Sequence, residues 1–206
     1  KVLYIQDEYE KTEVARKSMD LIDGDVIYTC VPDEFREIIY PTERYPRTKF
    51  KNVLTGYVTP DLLKRPWKPL NERKNLIGYR GRFLSHRYGA LGYEKRAIGL
   101  AFKEAAKQRG VYVDIEVDDS KRIYDGWLNF LGDSVATLAT ESGSNMFDWD
   151  GSLNEKAAEW RDIDFHEAYN SYFRDHDNVI QMNQISPKIF EAISNGTILI
   201  CAEGFY

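Results

Sequence analysis

A cationic turn follows an apolar segment in the second half of the chain. Residues 78–82 read Gly-Tyr-Arg-Gly-Arg, and a further arginine, Arg87, follows shortly after. A glycine such as Gly81 lets the backbone approach a ligand closely, and Arg82 with Arg87 can hold a diphosphate through charge-assisted hydrogen bonds. The alternative is a solvated basic turn. The spacing Gly-x-Gly-x-x-Gly is absent here, which argues against a dinucleotide fingerprint.

A helix start with an unusual charge lies near the end of the chain. Ser186 suits the N-cap and Pro187 the first turn of a predicted helix. Free backbone N–H groups and the positive dipole end at such a start favour phosphate. Lys188 is unfavourable for the helix there, which a bound anion would explain, and Glu191 can accept hydrogen bonds from ribose hydroxyls. The alternative is an ordinary helix with an exposed lysine and glutamate.

Polar residues also follow two other apolar segments. Glu141, Ser142 and Gly143 come after residues 134–140, where they would suit a sugar or acceptor hydroxyl network. Asp7 and Glu8 follow residues 2–5, where a carboxylate could act as a general base or contact an acceptor. A surface turn in the first case and a capping loop in the second are the alternatives.

The pair Asp148 and Asp150 has the spacing of a metal-binding Asp-x-Asp motif. In the glycosyltransferase fold that uses this motif, the pair ends an apolar strand, whereas a Gly-Ser-Asn stretch precedes it here. We therefore expect no metal at this position.

Short apolar runs alternate with longer amphipathic ones, which predicts parallel β-sheets with helices on both faces. The predicted strands are residues 2–5, 26–31, 53–58, 76–79, 111–117, 134–140, 179–182 and 197–201. The predicted helices are residues 12–21, 35–40, 94–108, 120–130, 154–173 and 186–195. Residues 64–75, basic and containing two prolines, are the predicted linker. Ligands of such folds lie at the carboxyl ends of the strands.

Composition restricts the function classes. The chain has 206 residues and a net charge of −5, so it lacks the basic footprint of a nucleic-acid-binding protein. It contains no apolar run long enough for a transmembrane helix. Cys30 and Cys201 lie in apolar segments and are expected to be buried and reduced. We expect a cytoplasmic protein, with peripheral membrane association left open, and a fragment of a longer chain.

Several of these segments together resemble a known family. Residues 77–82 and 186–197, with residues 54–58, 140–143 and 147–151, resemble GT-B glycosyltransferases of the family 1/family 4 type, close to spore-coat and lipopolysaccharide glycosyltransferase-like proteins. The resemblance implies two Rossmann-like domains. Residues 1–66 would be part of the acceptor-side domain, and residues 67–206 would be a donor-side, nucleotide-sugar-binding domain without its C-terminal end.

The resemblance also implies a reaction. A sugar would pass from a nucleotide-diphosphate donor to a hydroxyl of a glycan, lipid-linked or protein acceptor, in glycan or lipopolysaccharide biosynthesis. The transfer would retain the anomeric configuration and use no cofactor and no obligatory metal.

The same resemblance assigns roles to individual residues. Glu191 matches the ribose-binding second glutamate of the family's Glu-x7-Glu motif, and Arg82 with Arg87 match its diphosphate-binding pair. Asn183 stands where the first glutamate is usual, which leaves the donor-sugar contact open. The implied catalytic residues are Arg82, Arg87 and Glu191. The implied donor-binding residues are Gly81, Glu141, Ser142, Gly143, Asn183, Ser186, Lys188 and Glu191, and the acceptor-side residues are Asp7 and Glu8.

Three rival functions stay open at this point. The first is a degenerate GT-B module that binds a nucleotide or glycan without turnover, which Asn183 favours. The second is another Rossmann-like enzyme, such as a sugar-nucleotide epimerase or dehydrogenase, which the missing glycine fingerprint disfavours. The third is a metal-dependent glycosyltransferase of the other fold.

Overall fold

The structure, a computed structural model, describes residues 1–205 and is an α/β protein of the Rossmann-like class. Parallel sheets are flanked by helices, as the alternating sequence pattern predicts. The strands are Val2–Tyr4 (β1), Val26–Thr29 (β2), Lys49–Asn52 (β3), Asn75–Arg80 (β4), Asp114–Glu116 (β5), Ser134–Ala139 (β6) and Ile198–Cys201 (β7). The α-helices are Thr12–Ile22 (α1), Arg36–Ile39 (α2), Pro60–Leu63 (α3), Gly89–Gln108 (α4), Trp127–Gly132 (α5), Ser152–Glu159 (α6), Phe165–Ala168 (α7) and Pro187–Ser194 (α8).

The chain forms two compact units that are both discontinuous in sequence. Unit 1 contains Lys1–Thr55, Ser85–Gly92 and Gly143–Gln184. Unit 2 contains Gly56–Leu84, Tyr93–Ser142 and the residues from Ile185 onwards. The sequence predicted instead a single boundary between residues 66 and 67.

Unit 1 is built on a three-stranded parallel sheet in the order β1-β2-β3. The central strand buries Ile27, which lies in register with Leu3 and Phe50 on its neighbours. Residues from the later segment of the unit join the same hydrophobic core, among them Phe147 and Met182. The core of unit 1 is therefore shared between segments that lie far apart in the sequence.

Unit 2 is built on a four-stranded parallel sheet in the order β5-β4-β6-β7. The chain moves from β4 outward to β5, and then returns to the other side of β4 to form β6 and β7. The strand order thus reverses between β4 and β6. In open α/β sheets, ligands bind outside the carboxyl ends of the strands at such a switch point.

Residues 64–75 are part of unit 2 and are fixed to it by side chains. The Trp67 indole donates to the Ser194 carbonyl at 2.8 Å, and Arg73 donates to the carbonyls of Ser134 and Asn195 at 2.9 and 3.1 Å. The prolines and basic residues that suggested a linker therefore belong to an irregular but anchored segment.

The third strand of unit 1 lies earlier than the sequence predicts. Residues 53–58 are not a strand, and β3 occupies Lys49–Asn52, where Phe50 is flanked by two lysines. Because β3 is at the edge of its sheet, charged side chains are typical of it. The strand was predicted at residues 53–58 because that segment is more apolar than β3.

Residues 179–182 form no strand, contrary to the sequence prediction, and of these four residues Ile180 and Met182 are buried. Ile180 and Met182 pack in the core of unit 1, and the Met182 N–H donates to Asn145 Oδ1 at 2.7 Å. The Asn145 side-chain amide accepts the hydrogen bond that a neighbouring strand would accept. The apolar pattern of this segment therefore indicates burial and not strand pairing.

The long helix predicted for residues 154–173 is broken. It ends after α6, and Asp164 then caps the short α7 by accepting from the backbone N–H groups of His166 and Glu167. Tyr169–Phe173 continues as a π-helical turn. Aspartate favours a helix start over a helix interior, which explains the break.

The helix predicted for residues 120–130 begins later. Asp119–Lys121 is a 3₁₀ turn, and α5 starts at Trp127 after Gly126, whose φ is 84°.

Both cysteines are free thiols, but only Cys30 is buried, and Cys201 is exposed. Within residues 1–205, the structure contains no helix long and apolar enough to cross a bilayer.

Candidate functional site

A cavity of about 250 Å³ in unit 2 lies at the carboxyl end of β4. This is the position where the strand order of the sheet favours ligand binding. The lining residues are Tyr79, Arg80, Gly81, Arg82, Lys95, Arg122, Ile123, Trp127, Ser186 and Lys188. Half of these side chains are cationic and none is acidic. Arg80 is paired with Asp114 at 2.8 Å, so Arg82, Lys95, Arg122 and Lys188 are the cations that suit the cavity to an anion.

Gly81 is required at the bend where β4 leaves the sheet. A Cβ at this position would lie 2.8 Å from the Lys95 carbonyl oxygen and 2.9 Å from Tyr79 Cε1. The lack of a side chain lets the chain turn tightly against the helix α4 that carries Lys95. The glycine thus brings the backbone next to the cationic side chains.

Lys188 is the most perturbed cation of the cavity. Its Nζ donates to the Arg80 carbonyl at 3.0 Å and lies 4.2 Å from the centre of the Tyr79 ring. Burial, with the nearby charge of Lys95, lowers its pKa to about 7. An anion in the cavity would restore the charge on Lys188, so the site is poised for a negatively charged ligand.

Two arginines at the rim are free to reorient toward a ligand. Arg82 is half exposed, and its Nε lies 3.8 Å from Asp119 Oδ1, at the limit of an ion pair. Arg122 lies with its guanidinium 4.9 Å from the centre of the Tyr124 ring. Exposed pairs of this kind contribute little to stability, so either guanidinium could move to a phosphate at small cost.

The start of α8 faces the same cavity through Ser186. Ser186 occupies the N-cap position, but its side chain makes no capping hydrogen bond. The capping contact expected from the sequence is therefore not formed. Pro187 has no N–H and the Ile189 N–H donates to the Ser186 carbonyl at 2.9 Å, so the Lys188 N–H is the group of the first turn that can serve a ligand oxygen.

Glu191 lies one turn further along α8 and is held by a neighbour. The Trp127 indole Nε1 donates to Glu191 Oε2 at 2.7 Å, and Trp127 itself lines the cavity. This bond fixes the orientation of the Glu191 carboxylate. It uses Oε2 and does not involve Oε1. A hydroxyl donor on a ligand could be bound there.

The structure gathers Gly81, Arg82, Ser186 and Lys188 around one cavity, with Glu191 beside it. Ser142 belongs to the same unit, and its Oγ accepts from Lys95 Nζ at 2.8 Å. Glu141 is buried in unit 2 and its Oε1 accepts from the Phe205 N–H at 2.7 Å.

Other residues of the predicted site belong to unit 1. Arg87 forms an ion pair with Glu10 there, and its guanidinium lies 4.2 Å from the Tyr88 ring centre. Asn183 Oδ1 accepts from Asn145 Nδ2 at 2.9 Å. Gly143, with a φ of 82°, and the pair Asp7 and Glu8 are also in unit 1.

The two aspartates of the Asp-x-Asp pattern cap a helix. Asp148 accepts from the N–H groups of Gly151, Leu153 and Asn154 at 2.9, 3.2 and 3.2 Å. Asp150 accepts from the Ser152 N–H at 3.0 Å. Both side chains thus serve the start of α6, which explains their spacing without a ligand.

Sequence reasoning assigned no role to Tyr79 and Arg80, and it missed four further residues of the cavity: Lys95, Arg122, Ile123 and Trp127. Lys95 is on a long amphipathic helix, where a single lysine carries no distinguishing signal. Arg122 lies in the loop between β5 and α5, and Trp127 is the first residue of α5. The rule that ligands bind at strand ends indicates the loop after β5 as a whole, but it does not single out these two side chains.

Comparisons with models of known protein families, with curated proteins and with solved structures gave no match to this chain. The function must therefore be argued from the site itself. The decisive feature is a cavity with five cationic side chains at the switch point of a parallel sheet.

Proposed function

We propose that the protein is a GT-B type glycosyltransferase that binds a nucleotide-diphosphate sugar in unit 2 and moves the sugar to an acceptor hydroxyl. The cationic cavity at the carboxyl end of β4 is the observation that carries this proposal. A diphosphate carries charge that these cations neutralise, and Glu191 lies one helical turn away, where a ribose would follow. This order along α8 is also the one that the resemblance implies.

The chemistry assigned to the site is stabilisation of the leaving diphosphate. Negative charge on the diphosphate grows as the glycosidic bond breaks. Arg82, the Lys188 side chain and the Lys188 N–H at the start of α8 stabilise that charge, and a preorganised donor such as the buried Lys188 ammonium is typically worth about 3 kcal/mol. Arg122 and Lys95 add to the local positive potential.

The acceptor side of the proposal belongs to unit 1, where Asp7 and Glu8 follow β1. Burial raises the pKa of Glu8, which is the direction that makes a carboxylate a stronger base. Asp7 Oδ1 accepts from the Tyr9 hydroxyl at 2.6 Å. Asp7 is exposed and could contact an acceptor hydroxyl, whereas Glu8 is buried.

Thermal unfolding with a panel of UDP-, GDP-, ADP- and TDP-sugars tests the donor site. We expect one nucleotide family to raise the melting temperature, because a ligand that binds only the folded state stabilises it. Arg82→Ala should abolish that shift, whereas Arg109→Ala, an exposed arginine outside the cavity, should keep it. No shift with any donor, or an unchanged shift in Arg82→Ala, would overturn the proposed site.

Two matched variants of Glu191 test its role in donor binding by the same assay. Glu191→Ala removes the carboxylate and should abolish the shift. Glu191→Gln keeps an oxygen that can accept from Trp127 and should retain part of it. Equal shifts in the wild type and in both variants would contradict a role for Glu191 in donor binding.

The second candidate is a GT-B module that binds its ligand without turnover. Asn183 favours it, because the amide oxygen accepts from Asn145 at a position where the resemblance implies a glutamate. Hydrolysis of the stabilising nucleotide sugar separates the two candidates. Release of free sugar over hours supports the enzyme, and affinity without release supports the module.

A further inference from the structure

The side-chain amine of Lys188 is held among neutral groups. Its Nζ donates to the Arg80 carbonyl at 3.0 Å and lies 4.2 and 5.8 Å from the ring centres of Tyr79 and Trp127. None of these partners is a carboxylate, so no direct counter-ion holds the amine in its charged form.

The surroundings of this amine favour its neutral form. Burial, and then the positive charge of Lys95, disfavour the protonated amine and lower its pKa to about 7, whereas Glu191 acts in the opposite direction. Burial and a neighbouring cation are the two features that make a lysine nucleophilic in proteins, because both increase the fraction of neutral amine. Lys188 combines the two.

Lys188 also belongs to a space that suits an anionic ligand. The residue is partly exposed and lines the cavity of unit 2, where Arg82 and Arg122 lie at the rim. Neither guanidinium is held by a close ion pair, so both can bind a phosphate group through charge-assisted hydrogen bonds. A small molecule whose phosphate binds these arginines is kept in the same cavity as the Lys188 amine.

The chemical group that suits such an amine is a carbonyl. A neutral lysine amine attacks the carbon of an aldehyde and forms an imine, whereas a protonated amine has no lone pair with which to attack. An aldehyde that also has a phosphate group therefore matches both features of the cavity, its cations and its nucleophile.

We propose that the cavity of unit 2 binds small phosphorylated aldehydes covalently, as an imine on Lys188. Arg82 and Arg122 bind the phosphate, and the neutral Nζ attacks the carbonyl carbon. The carbinolamine that forms loses its hydroxyl group as water, which leaves a C=N bond between the ligand carbon and Nζ. One aldehyde and one amine give one imine and one water, so the step needs no oxidant, reductant or other co-reactant.

Labelling of the full chain with pyridoxal 5′-phosphate at pH 7.4, without nucleotide, tests the proposal. Less than one equivalent is added, borohydride reduces the imine to a stable amine, and peptide mass spectrometry measures the label at each lysine and at the amino terminus. An ordinary lysine, with a pKa of about 10.4, is about 0.1% neutral at this pH, whereas Lys188 is largely neutral. We expect at least ten times more label on Lys188 than on Lys107, an exposed lysine of the same unit. Equal labelling of the two overturns the proposal.

Pyridoxal, which lacks the phosphate, tests whether the cavity directs the reaction. The ratio of label on Lys188 to label on Lys107 corrects for the different reactivity of the two aldehydes, and it should fall at least tenfold with pyridoxal. Arg82→Met should lower the ratio for pyridoxal 5′-phosphate, whereas Arg109→Met, at an exposed arginine outside the cavity, should not. The same ratio with both aldehydes overturns the proposal.

The comparison of the two lysines is made within the wild-type chain, so it does not depend on the folding of a variant. It is also separate from the proposed glycosyl transfer, which requires no covalent bond to Lys188. Binding of a nucleotide sugar without preferential labelling of Lys188 overturns this inference alone. Preferential labelling without binding of any nucleotide sugar supports this inference and leaves the transferase without its donor.

Discussion

Lys188 shows, at the scale of one residue, how a binding site can lower the stability of the folded protein. A lysine in water has a pKa of about 10.4, but burial lowers the pKa of Lys188 to about 7. The folded protein therefore holds this charge unfavourably at neutral pH and below. A function that uses the charge explains why the residue is placed there.

The pH dependence of stability should reveal this penalty. Between about pH 7 and pH 10 the unfolded chain keeps a proton on Lys188 that the folded protein has lost, so the free energy of unfolding rises with pH. Below pH 7 both states are protonated and the penalty is complete. Lys188→Met should be the more stable protein at pH 6.5, and its advantage should shrink toward pH 9.5.

Urea unfolding of both proteins at pH 6.5, 8 and 9.5 measures that difference. Groups that titrate in both proteins cancel when the two curves are subtracted. A constant difference across this range would mean that Lys188 keeps its ordinary pKa in the folded protein.

The candidate site was partly predictable from residue types. Gly81, Arg82, Ser186 and Lys188 were selected because glycine, arginine and a helix start have phosphate chemistry that is visible in the sequence, and the structure brings them to one cavity. Arg122 and Trp127 were not selected, because their position at the cavity depends on the path that the chain takes between β5 and α5. The spacing of residues in the sequence does not predict that path.

At the scale of elements, periodicity predicted buried strands well and edge or irregular segments poorly. β4 and β6 are apolar runs that lie inside a sheet, and both were predicted within one or two residues. β3 is a charged edge strand, and Val179–Met182 is an apolar segment satisfied by an asparagine side chain. In both cases tertiary contacts decide the structure, and local pattern does not report them.

The close approach of β4 and its neighbours makes Gly78 a critical position. A Cβ on Gly78 would lie 2.9 Å from Phe130 Cζ and 2.9 Å from Ser134 Cβ. Gly78→Ala should lower the free energy of unfolding by about 1–3 kcal/mol, the usual cost of overpacking a core.

Gly132→Ala is the matched control for that substitution. Gly132 is in α5 of the same unit, and the nearest atom to its added Cβ would be Asn195 Oδ1 at 3.5 Å. Alanine in a helix is favoured over glycine, so this variant should be as stable as the wild type or slightly more stable. The urea concentrations at the unfolding midpoints of the two variants measure these changes. An equal loss of stability in both variants would contradict the packing argument.

At the scale of the whole molecule, each unit is assembled from three separate segments. The sequence predicted parallel sheets correctly but placed one boundary after residue 66, in a segment whose prolines and charges resemble a linker. A loop that runs along a folded unit and a linker have the same composition. Contacts such as that of Trp67 with Ser194 distinguish them, and these join residues far apart in the chain.

Expression of residues 67–206 alone tests this organisation. The fragment keeps Phe147, Ile180 and Met182 but loses β1–β3 and the core residues Tyr9 and Ile27 against which this cluster packs. The apolar side chains left uncovered should make the fragment bind a hydrophobic dye and self-associate, whereas the full chain should not. Dye fluorescence and size-exclusion chromatography measure both effects. A monomeric fragment with low dye binding would show that residues 67–206 form an autonomous domain and that the segment Gly143–Gln184 does not depend on the first sheet.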